Sequence, residues 1–273
     1  KICKTGYNVD SFGHNGMLPQ LLKKSGIDNY IYQRPDNREE KPDLPFDNLH
    51  LWKSPDGSVV RAFHIPDGYG GDVHKERLED HYYNKNQPMM VFFGVGNHGG
   101  GPSKEHLKHA DELIAQGDFR YSTPDEYFEE TADVAMPLVD EDLQHHASGC
   151  YSANSRIKEL NRRAETQLVT AEKLDVLANA ITGSDVHNEA IEKAWERVMF
   201  NQFHDILAGC SIKEAYTDAE SAYGYARETA MGINTFAAQR ISWRIKTTDF
   251  LDADTSEMRC RMWYRNGEGS PMV

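Results

Sequence analysis

The first 135 residues alternate between short apolar runs and amphipathic segments. The runs of strand length are residues 2–9, 29–34 and the two arms of 49–65. The arms flank Ser54-Pro55-Asp56-Gly57, which has proline and glycine where a β-turn favours them, so they predict a hairpin. Met17, Leu18, Leu21 and Leu22 follow the first run at helical spacing. Strands alternating with helices indicate an α/β domain.

Two further helices of this domain carry start signals. Ser103 is a predicted N-cap for an amphipathic helix over 103–116. Thr123 and Pro124 have the types typical of the N-cap and first position of another helix. Between the hairpin and these helices, residues 66–74 are a glycine-rich loop that we expect to border a substrate cleft. Its Asp67 and Asp72 are interpreted as solvated loop residues.

The run Met89–Phe93 is continuously apolar and predicts a strand buried on both faces. The loop after it contains Gly94, Gly96 and Gly99 at the spacing of the dinucleotide fingerprint. In that fingerprint the third glycine leads directly into a helix, whereas here two more glycines and Pro102 intervene. This disfavours dinucleotide binding and favours a loop whose backbone approaches a ligand closely.

From residue 144 the pattern changes to three helices. The first has apolar residues at three-to-four spacing over 157–181. Ser184-Asp185 is predicted to cap the second, which runs to Gly209. Ser211 and Glu214 have the spacing of a capping box for the third. Because short loops between long helices make antiparallel neighbours, we expect an antiparallel three-helix bundle.

Composition and charge narrow the possible partners. The net charge of −13 and pI of 5.4 argue against nucleic acid, which needs basic surfaces, and favour a neutral substrate. No apolar run reaches the roughly 20 residues of a membrane span, so no membrane partner is expected. Four cysteines without a CxxC pair, and no signal-peptide pattern, predict reduced thiols in the cytoplasm.

Asp10 is the first candidate for chemistry, because it follows the first strand and precedes a turn and a helix. Side chains at the carboxyl ends of strands converge on a crevice in α/β folds. A helix N-cap or turn aspartate is the alternative interpretation. The surrounding residues are Val9-Asp10-Ser11-Phe12-Gly13-His14 and Met17-Leu18-Pro19-Gln20. They resemble the nucleophile motif of the glycoside hydrolase family 38 α-mannosidases, in its bacterial form. The resemblance implies that Asp10 is the nucleophile and a zinc ligand.

The second candidate lies on the middle predicted helix. Phe200, Phe203 and Leu207 fall off its main apolar stripe, which predicts a helix wedged between two bodies, with His204 beside them. A buried structural histidine is the alternative. The segment Asn201-Gln-Phe-His-Asp-Ile-Leu-Ala-Gly209 resembles the second motif of the same family. This resemblance implies that His204 is a zinc ligand and that Asp205 contacts substrate.

The resemblance extends to five more positions. It places Arg34 beside the nucleophile, for which the alternative is a surface ion pair. Asn97 stands near the position of the family's general acid/base, although an asparagine cannot donate and retrieve a proton at neutral pH. In the same loop His98 is expected to contact substrate. His145 and Tyr151 are expected to border the sugar site.

The predicted fold class is α/β followed by all-α. The resemblance implies that residues 1–143 are the C-terminal part of a β/α barrel-like catalytic domain, 144–247 the middle domain, and 248–273 the start of a missing β-sandwich region. No His-x-His-x-Asp segment, which supplies two further zinc ligands in the family, precedes Lys1. We therefore expect an internal fragment that is inactive alone and holds an incomplete zinc site.

The implied activity of the full-length protein is zinc-dependent, retaining hydrolysis of α-mannosidic bonds in mannose-containing oligosaccharides. One zinc per full-length enzyme and a homo-oligomer are implied with it. Two alternatives stay open: a metal-dependent carbohydrate deacetylase, and a non-catalytic carbohydrate-binding relic, for which Asn97 is the argument.

Overall fold

The computed structural model of this chain describes residues 3–35, 48–82, 87–96, 100–117, 119–144, 147 and 149–246. The chain divides into two compact units, Lys1–Tyr151 and Ser152–Val273. None of the helices in the described ranges is both long and apolar enough to cross a bilayer. The predicted segment 248–273 lies outside the described residues.

The first unit is built on a five-stranded mixed sheet. Its strands are β1 (Thr5–Asn8), β2 (Asn29–Tyr32), β3 (Leu49–Lys53), β4 (Val59–His64) and β5 (Leu138–Val139), in the order β1-β2-β4-β3-β5. Strand β2 is parallel to both β1 and β4, whereas β3 is antiparallel to β4 and parallel to β5. The predicted strands at 2–9 and 29–34 and the hairpin are confirmed. Closure into a barrel-like domain stays a prediction.

Period-2 alternation divides the core of the first unit between the two faces of the sheet. Tyr30 and Tyr32 of β2 pack on one face with Trp52, whereas Ile31 packs on the other with Phe63. All five side chains are at most 2% exposed. The sheet is therefore covered on both faces.

Four helices accompany the sheet: α1 (Leu18–Lys24), α2 (Lys75–His81), α3 (Lys104–Ala115) and α4 (Pro124–Glu130). Ser103 caps α3, since its side chain accepts a hydrogen bond from the His106 backbone N–H. Thr123 caps α4 in the same way through the Glu126 N–H. Both predicted caps are confirmed.

The predicted buried strand at Met89–Phe93 is wrong. These residues belong to no strand and are half-buried. Met89, Met90 and Phe92 instead pack as partly buried side chains on the core that contains Ile31 and Phe63. An apolar run can thus cover a sheet face through its side chains without joining the ladder of backbone hydrogen bonds.

The second unit is helical over its described part. It contains α5 (Ser155–Thr182), α6 (Asn188–Phe200), α7 (His204–Ala208) and α8 (Lys213–Ser242). The three long helices share one core of aliphatic and alanine side chains with Tyr223. Trp195 of α6 donates to Glu172 of α5, and Gln202 beyond α6 donates to Asn161, so these two helices run in opposite directions.

Three details of the predicted helices are wrong. Ser184-Asp185 does not cap α6, because the N-cap is His187, whose backbone N–H donates to the buried Asp175 carboxylate of α5. The middle helix does not run unbroken to Gly209, because Asn201–Phe203 interrupt it between α6 and α7. At this break the Asn201 side chain bonds the Arg197 carbonyl, a side-chain bond that competes with helix continuation.

The predicted capping box at the start of α8 is the third detail. The N-cap of α8 is Ile212, with no side-chain hydrogen bond. The Ser211 N–H donates to the Tyr216 hydroxyl at 2.8 Å instead. A tyrosine one turn into the helix thus satisfies a backbone donor that the sequence pattern assigned to a box with Glu214.

Candidate active site

Three adjacent parallel strands end at one edge of the sheet, and each is followed by a polar side chain of the candidate site. Asp10 follows β1, Arg34 follows β2 and Tyr69 follows β4. Because β2 lies between β1 and β4 in the order of strands, the three side chains come from neighbouring strand ends. Such an edge is where ligands bind in open α/β sheets.

The Asp10 carboxylate is fixed by donors on both of its oxygens. Oδ1 accepts from Arg34 Nε at 2.9 Å and lies 2.9 Å from Arg34 Nη2. Oδ2 accepts from the Tyr69 hydroxyl at 2.9 Å. The side chain of Asp10 is 23% exposed and that of Arg34 32%. The carboxylate is therefore oriented by the protein while part of it remains open to a ligand.

Tyr69 was missed by the sequence analysis, which assigned its loop to the cleft border but named no tyrosine. Burial raises the pKa of the Tyr69 hydroxyl, and its hydrogen bond to Asp10 and the charge of that carboxylate raise it further. The hydroxyl therefore keeps its proton at neutral pH and donates it to Oδ2. The order of strands is the signal that relates Tyr69 to Asp10, and the sequence pattern does not reveal it.

Arg34 forms an ion pair with Asp10. Its guanidinium also lies 5.9 Å from the centre of the Phe12 ring, a cation–π distance. The loop after β1 thus supplies both a carboxylate and an aromatic ring to the same arginine. This agrees with the expected position of Arg34 beside the candidate nucleophile.

The turn after Asp10 is held by contacts with Leu143 and Tyr151. Gly13 has φ +93°, and a Cβ there would lie 2.7 Å from the Leu143 carbonyl oxygen. His14 exchanges two backbone hydrogen bonds with Leu143. Tyr151 donates its hydroxyl to the Gly13 carbonyl at 3.2 Å. In this structure Tyr151 therefore contacts the turn that carries Asp10, and its predicted place at a sugar site stays a prediction.

His14 is the buried residue under this turn. Its Nδ1 lies 3.0 Å from the Tyr30 hydroxyl, and its ring meets those of Tyr32 and Trp52 edge-on. Burial lowers the pKa of His14 to about 4. A hydrogen bond with the Arg34 backbone opposes this shift, whereas the charge of His64 adds to it. The imidazole is therefore neutral at pH 7 and serves as part of the aromatic core.

Asp67, in the loop after β4, was predicted to be solvated, and this prediction is wrong. Its side chain is 9% exposed and forms an ion pair with Arg77, which is 10% exposed. Asp72 is partly exposed and pairs with His109 Nδ1 at 2.7 Å. Both aspartates are held by named partners, so the loop that carries Tyr69 is tied down at two points.

The second motif lies in the other compact unit. His204 and Asp205 begin α7, with side chains 28% and 43% exposed. The His204 ring lies 4.1 Å from the ring of Phe203, which is itself 49% exposed. Phe200 is 75% exposed. That His204 and Asp10 face one cavity stays a prediction.

Asn97, His98 and His145 fall outside the described residues, so their predicted roles stay predictions. Among the residues that are described, no three or more His, Cys, Asp or Glu side chains are grouped to hold a metal ion. A zinc ion needs at least three protein ligands in most sites. The described side chains therefore do not fit a complete zinc site.

Comparison with known proteins assigns the family. The profile of the glycosyl hydrolases family 38 N-terminal domain matches residues 1–148, more than half of the chain. The chain belongs to glycosyl hydrolases family 38. The alpha mannosidase middle domain matches residues 145–241 of this family 38 chain.

Relatives of this family 38 chain carry the names of alpha-mannosidases and of a mannosylglycerate hydrolase. Alpha-mannosidase G of Dictyostelium discoideum is 28% identical over 232 residues, which cover 80% of this chain and 21% of the relative. Alpha-mannosidase of Saccharomyces cerevisiae is 26% identical, covering 94% and 25%. A putative mannosylglycerate hydrolase of Halalkalibacterium halodurans is 24% identical, covering 86% and 29%. The chain thus spans about a fifth to three tenths of these relatives' length.

Solved structures agree on the fold. An alpha-mannosidase from Enterococcus faecalis V583 superposes with a TM-score of 0.71 at 20% identity, covering 92% of this chain and 31% of that one. A family 38 protein from Enterococcus faecalis gives 0.63 at 16% identity, covering 92% and 28%. At these identities the likeness is one of fold.

Proposed function

We propose that the full-length protein is an α-mannosidase that hydrolyses α-mannosidic bonds in mannose-containing oligosaccharides with retention of configuration. The observation that carries the proposal is the Asp10 carboxylate, held at a strand end by Arg34 and Tyr69 in a chain of family 38. A nucleophile must present one oxygen to the anomeric carbon in a fixed direction. Donors on both oxygens supply that fixed direction.

The reaction has two steps. An Asp10 oxygen forms a bond to the anomeric carbon while the glycosidic bond breaks, and the leaving oxygen takes a proton from a general acid. Water then attacks the same carbon and gives its proton to the group that acted as the general acid, now a base, and the carboxylate of Asp10 leaves. Retaining enzymes place the second carboxyl about 5–5.5 Å from the nucleophile. Arg34 donates to Asp10 Oδ1 and so orients the carboxylate for attack.

The metal belongs to this proposal in a limited form. We propose one zinc per full-length protein, with Asp10 and His204 among its ligands, as the two family motifs imply. Because the described residues do not complete a zinc site, the two steps above are derived without it. Metal analysis of the full-length protein and of His204→Ala checks this, with one zinc per chain expected in the first and less in the second.

The finer architecture is part of the same proposal. The sheet unit is proposed to belong to a β/α barrel-like catalytic domain, and α5, α6 and α8 to form an antiparallel three-helix bundle. The opposite directions of α5 and α6 support the second point. A homo-oligomer at full length and a cytoplasmic location stay predictions.

Covalent trapping tests the nucleophile. The full-length protein is incubated with a fluorinated mannosyl fluoride, digested and analysed by mass spectrometry. The expected result is one labelled peptide containing Asp10, and no label in Asp10→Ala. Asp28→Ala is the matched control, because Asp28 is an exposed aspartate of the same unit that pairs with Lys23. It should label like the wild type.

The outcomes separate the candidate functions. A deacetylase releases acetate and takes no glycosyl label, and a non-catalytic relic binds sugar without either reaction. Membership of a glycosyl hydrolase family favours hydrolysis over both. A label on another carboxylate, or turnover that survives in Asp10→Ala, would remove Asp10 from the nucleophile's role.

A further inference from the structure

Arg77 on α2 is a buried cation that lies outside the steps described above. Its guanidinium donates to both oxygens of Asp67, and to the backbone carbonyls of Gly68, Asp72 and Phe92. Each of its three nitrogens thus donates to at least one acceptor. Three of the four residues it bonds belong to the loop that carries Tyr69, and the fourth, Phe92, lies just before the loop that begins at Gly94.

A buried ion pair costs desolvation, which only excellent geometry and further hydrogen bonds offset. Here Tyr82 supplies the further bond by donating to Asp67 Oδ1 at 2.5 Å. Burial alone would raise the pKa of the Asp67 carboxyl, but the bonds from Arg77 and Tyr82 and the guanidinium charge lower it. The trio of Arg77, Asp67 and Tyr82, which we name the Arg77 clamp, is therefore an ionised unit joined by hydrogen bonds.

The Arg77 clamp also holds two loops together. Gly71 and Gly94 exchange backbone hydrogen bonds of 2.7 and 2.9 Å. A Cβ at Gly70 would lie 3.3 Å from the Gly96 backbone, closer than most Cβ contacts, so a side chain there would press the two loops apart. Arg77 bonds the carbonyl of Phe92, two residues before this contact. The guanidinium of Arg77 thus holds both the loop that carries Tyr69 and the segment that leads into the loop at Gly94.

We propose that Arg77 and Asp67 are positioning residues, which act on the reaction by holding Tyr69 against the Asp10 carboxylate. The inference rests on the proposed function. Tyr69 lies between the two carbonyl groups that Arg77 bonds at Gly68 and Asp72, so the clamp fixes the backbone on both sides of it. The Tyr69 hydroxyl then reaches Asp10 Oδ2 at 2.9 Å. Displacing a reacting group by about 1 Å can lower the reaction rate roughly 100-fold.

A double-variant cycle tests the proposal in the full-length protein. The variants are Arg77→Lys, Tyr69→Phe and the two combined, and the measured quantity is the rate of covalent trapping by a fluorinated mannosyl fluoride at saturation. A lysine keeps the charge but cannot bond several carbonyls at once. We expect each single variant to trap at least about tenfold more slowly, with a smaller change in half-saturating concentration.

The combined variant decides the matter. If Arg77 acts through Tyr69, the second substitution has little left to remove, and the double variant traps about as slowly as Tyr69→Phe alone. Effects that multiply would overturn the proposal, since they would mean that Arg77 acts by another route. Trapping of Arg77→Lys at the wild-type rate would overturn it as well.

Two further variants separate positioning from stability. Tyr82→Phe removes only the hydroxyl bonded to Asp67, so it keeps the unit folded and should slow trapping in the same direction by a smaller factor. Arg61→Lys is the matched control, because Arg61 is a partly buried arginine of the same sheet that bonds the Phe128 carbonyl. It should lower the melting temperature without slowing trapping; equal slowing would overturn the proposal.

The proposed function fails separately from this inference. Absence of any label on Asp10 in the wild type would remove the proposed function, and the positioning role with it. A wild type labelled at Asp10, together with unaffected Arg77 variants, would overturn the positioning role alone.

Discussion

The two compact units bury their cores with different kinds of side chain. The sheet unit packs large rings, among them Tyr30, Tyr32 and Trp52, on one face of β2, β3 and β4. The helical unit uses small side chains at its helix contacts, with Ala164, Ala219 and Ala226 fully buried. Rings fill a wide space between a sheet and its covering segments, whereas alanines let helices approach closely.

The difference extends to polar groups. In the sheet unit the polar groups of Asp10, Arg34 and Tyr69 meet where strands end, and His14 bonds Tyr30 within the core. In the helical unit they cross-link the core, as Tyr223 does by donating to Asn161. The first unit thus brings its candidate site residues together where strands end. The second unit uses buried polar groups to link its packed helices. Four predictions test this contrast.

The largest effect is expected for Trp52→Ala. Trp52 is fully buried, and its indole N–H donates to the Glu141 carbonyl at 3.1 Å. Its removal should lower the free energy of unfolding of the sheet unit by about 3–5 kcal/mol. Hydrogen exchange read by mass spectrometry should show faster exchange in β2, β3 and β4. Leu168→Ala is the corresponding substitution in the helical core. The contrast would fail if Trp52→Ala reduced protection from exchange in α5 and α8 as much as in the sheet.

The second effect is acid destabilisation of the sheet unit through His14. Its pKa is about 4 in the folded protein and 6.5 ordinarily, so the unfolded chain binds the proton more readily. Stability is therefore full above pH 6.5 and falls as the pH decreases to about 4, by about 3 kcal/mol in total. Urea unfolding of wild type and His14→Gln at several pH values measures the difference, and identical pH slopes would contradict it.

The third effect concerns the turn after α7. Gly209 has φ +94°, and a Cβ there would lie 2.2 Å from the Ala153 carbonyl oxygen. Gly209→Ala should therefore lower the free energy of unfolding of the helical unit by about 2–3 kcal/mol. Gly183→Ala is the matched control, with φ +71° and open space around the Cβ, and should cost about 1 kcal/mol. Denaturant titration compares them, and equal losses would be contrary to the clash.

The smallest effect is expected for Tyr223→Phe. The ring stays, but Asn161 loses the hydroxyl that donates to its Oδ1 at 3.2 Å. Gln202 still donates to the same oxygen, so the loss should be only about 1 kcal/mol. Denaturant titration measures this loss, with Thr217→Val as an exposed control on the same helix. A loss as large as that of Trp52→Ala would mean that the cross-link carries more of this core than its alanines do.

Local patterns were sufficient for much of the fold. The strands at β1 and β2, the hairpin, and the caps at Ser103 and Thr123 each depend on residues close in sequence, and all were confirmed. The position of Asp10 at a strand end follows from the same kind of signal. The predicted start of α6 was wrong because the His187 N–H is bonded by Asp175, which lies twelve residues upstream on another helix.

The candidate site was predictable only in part. Asp10 and Arg34 stand near recognisable strand ends, and the structure brings them into contact. Tyr69 and Arg77 lie in or after a glycine-rich loop without periodicity, so no local rule separates them from other loop residues. Their importance depends on β4 being the neighbour of β2, which is a fact of sheet order.

By itself the sequence determined which segments become helices and strands in most places, and the family motif around Asp10, because periodicity, caps and turns act over a few residues. Only the tertiary structure decided what meets across the fold: the donors on both Asp10 oxygens, the burial of His14 and Asp67, and the exclusion of Met89–Phe93 from the sheet. The physical reason is that burial and hydrogen-bond partners come from residues far apart in the chain, and strand order, which sets those partners, leaves no periodic trace.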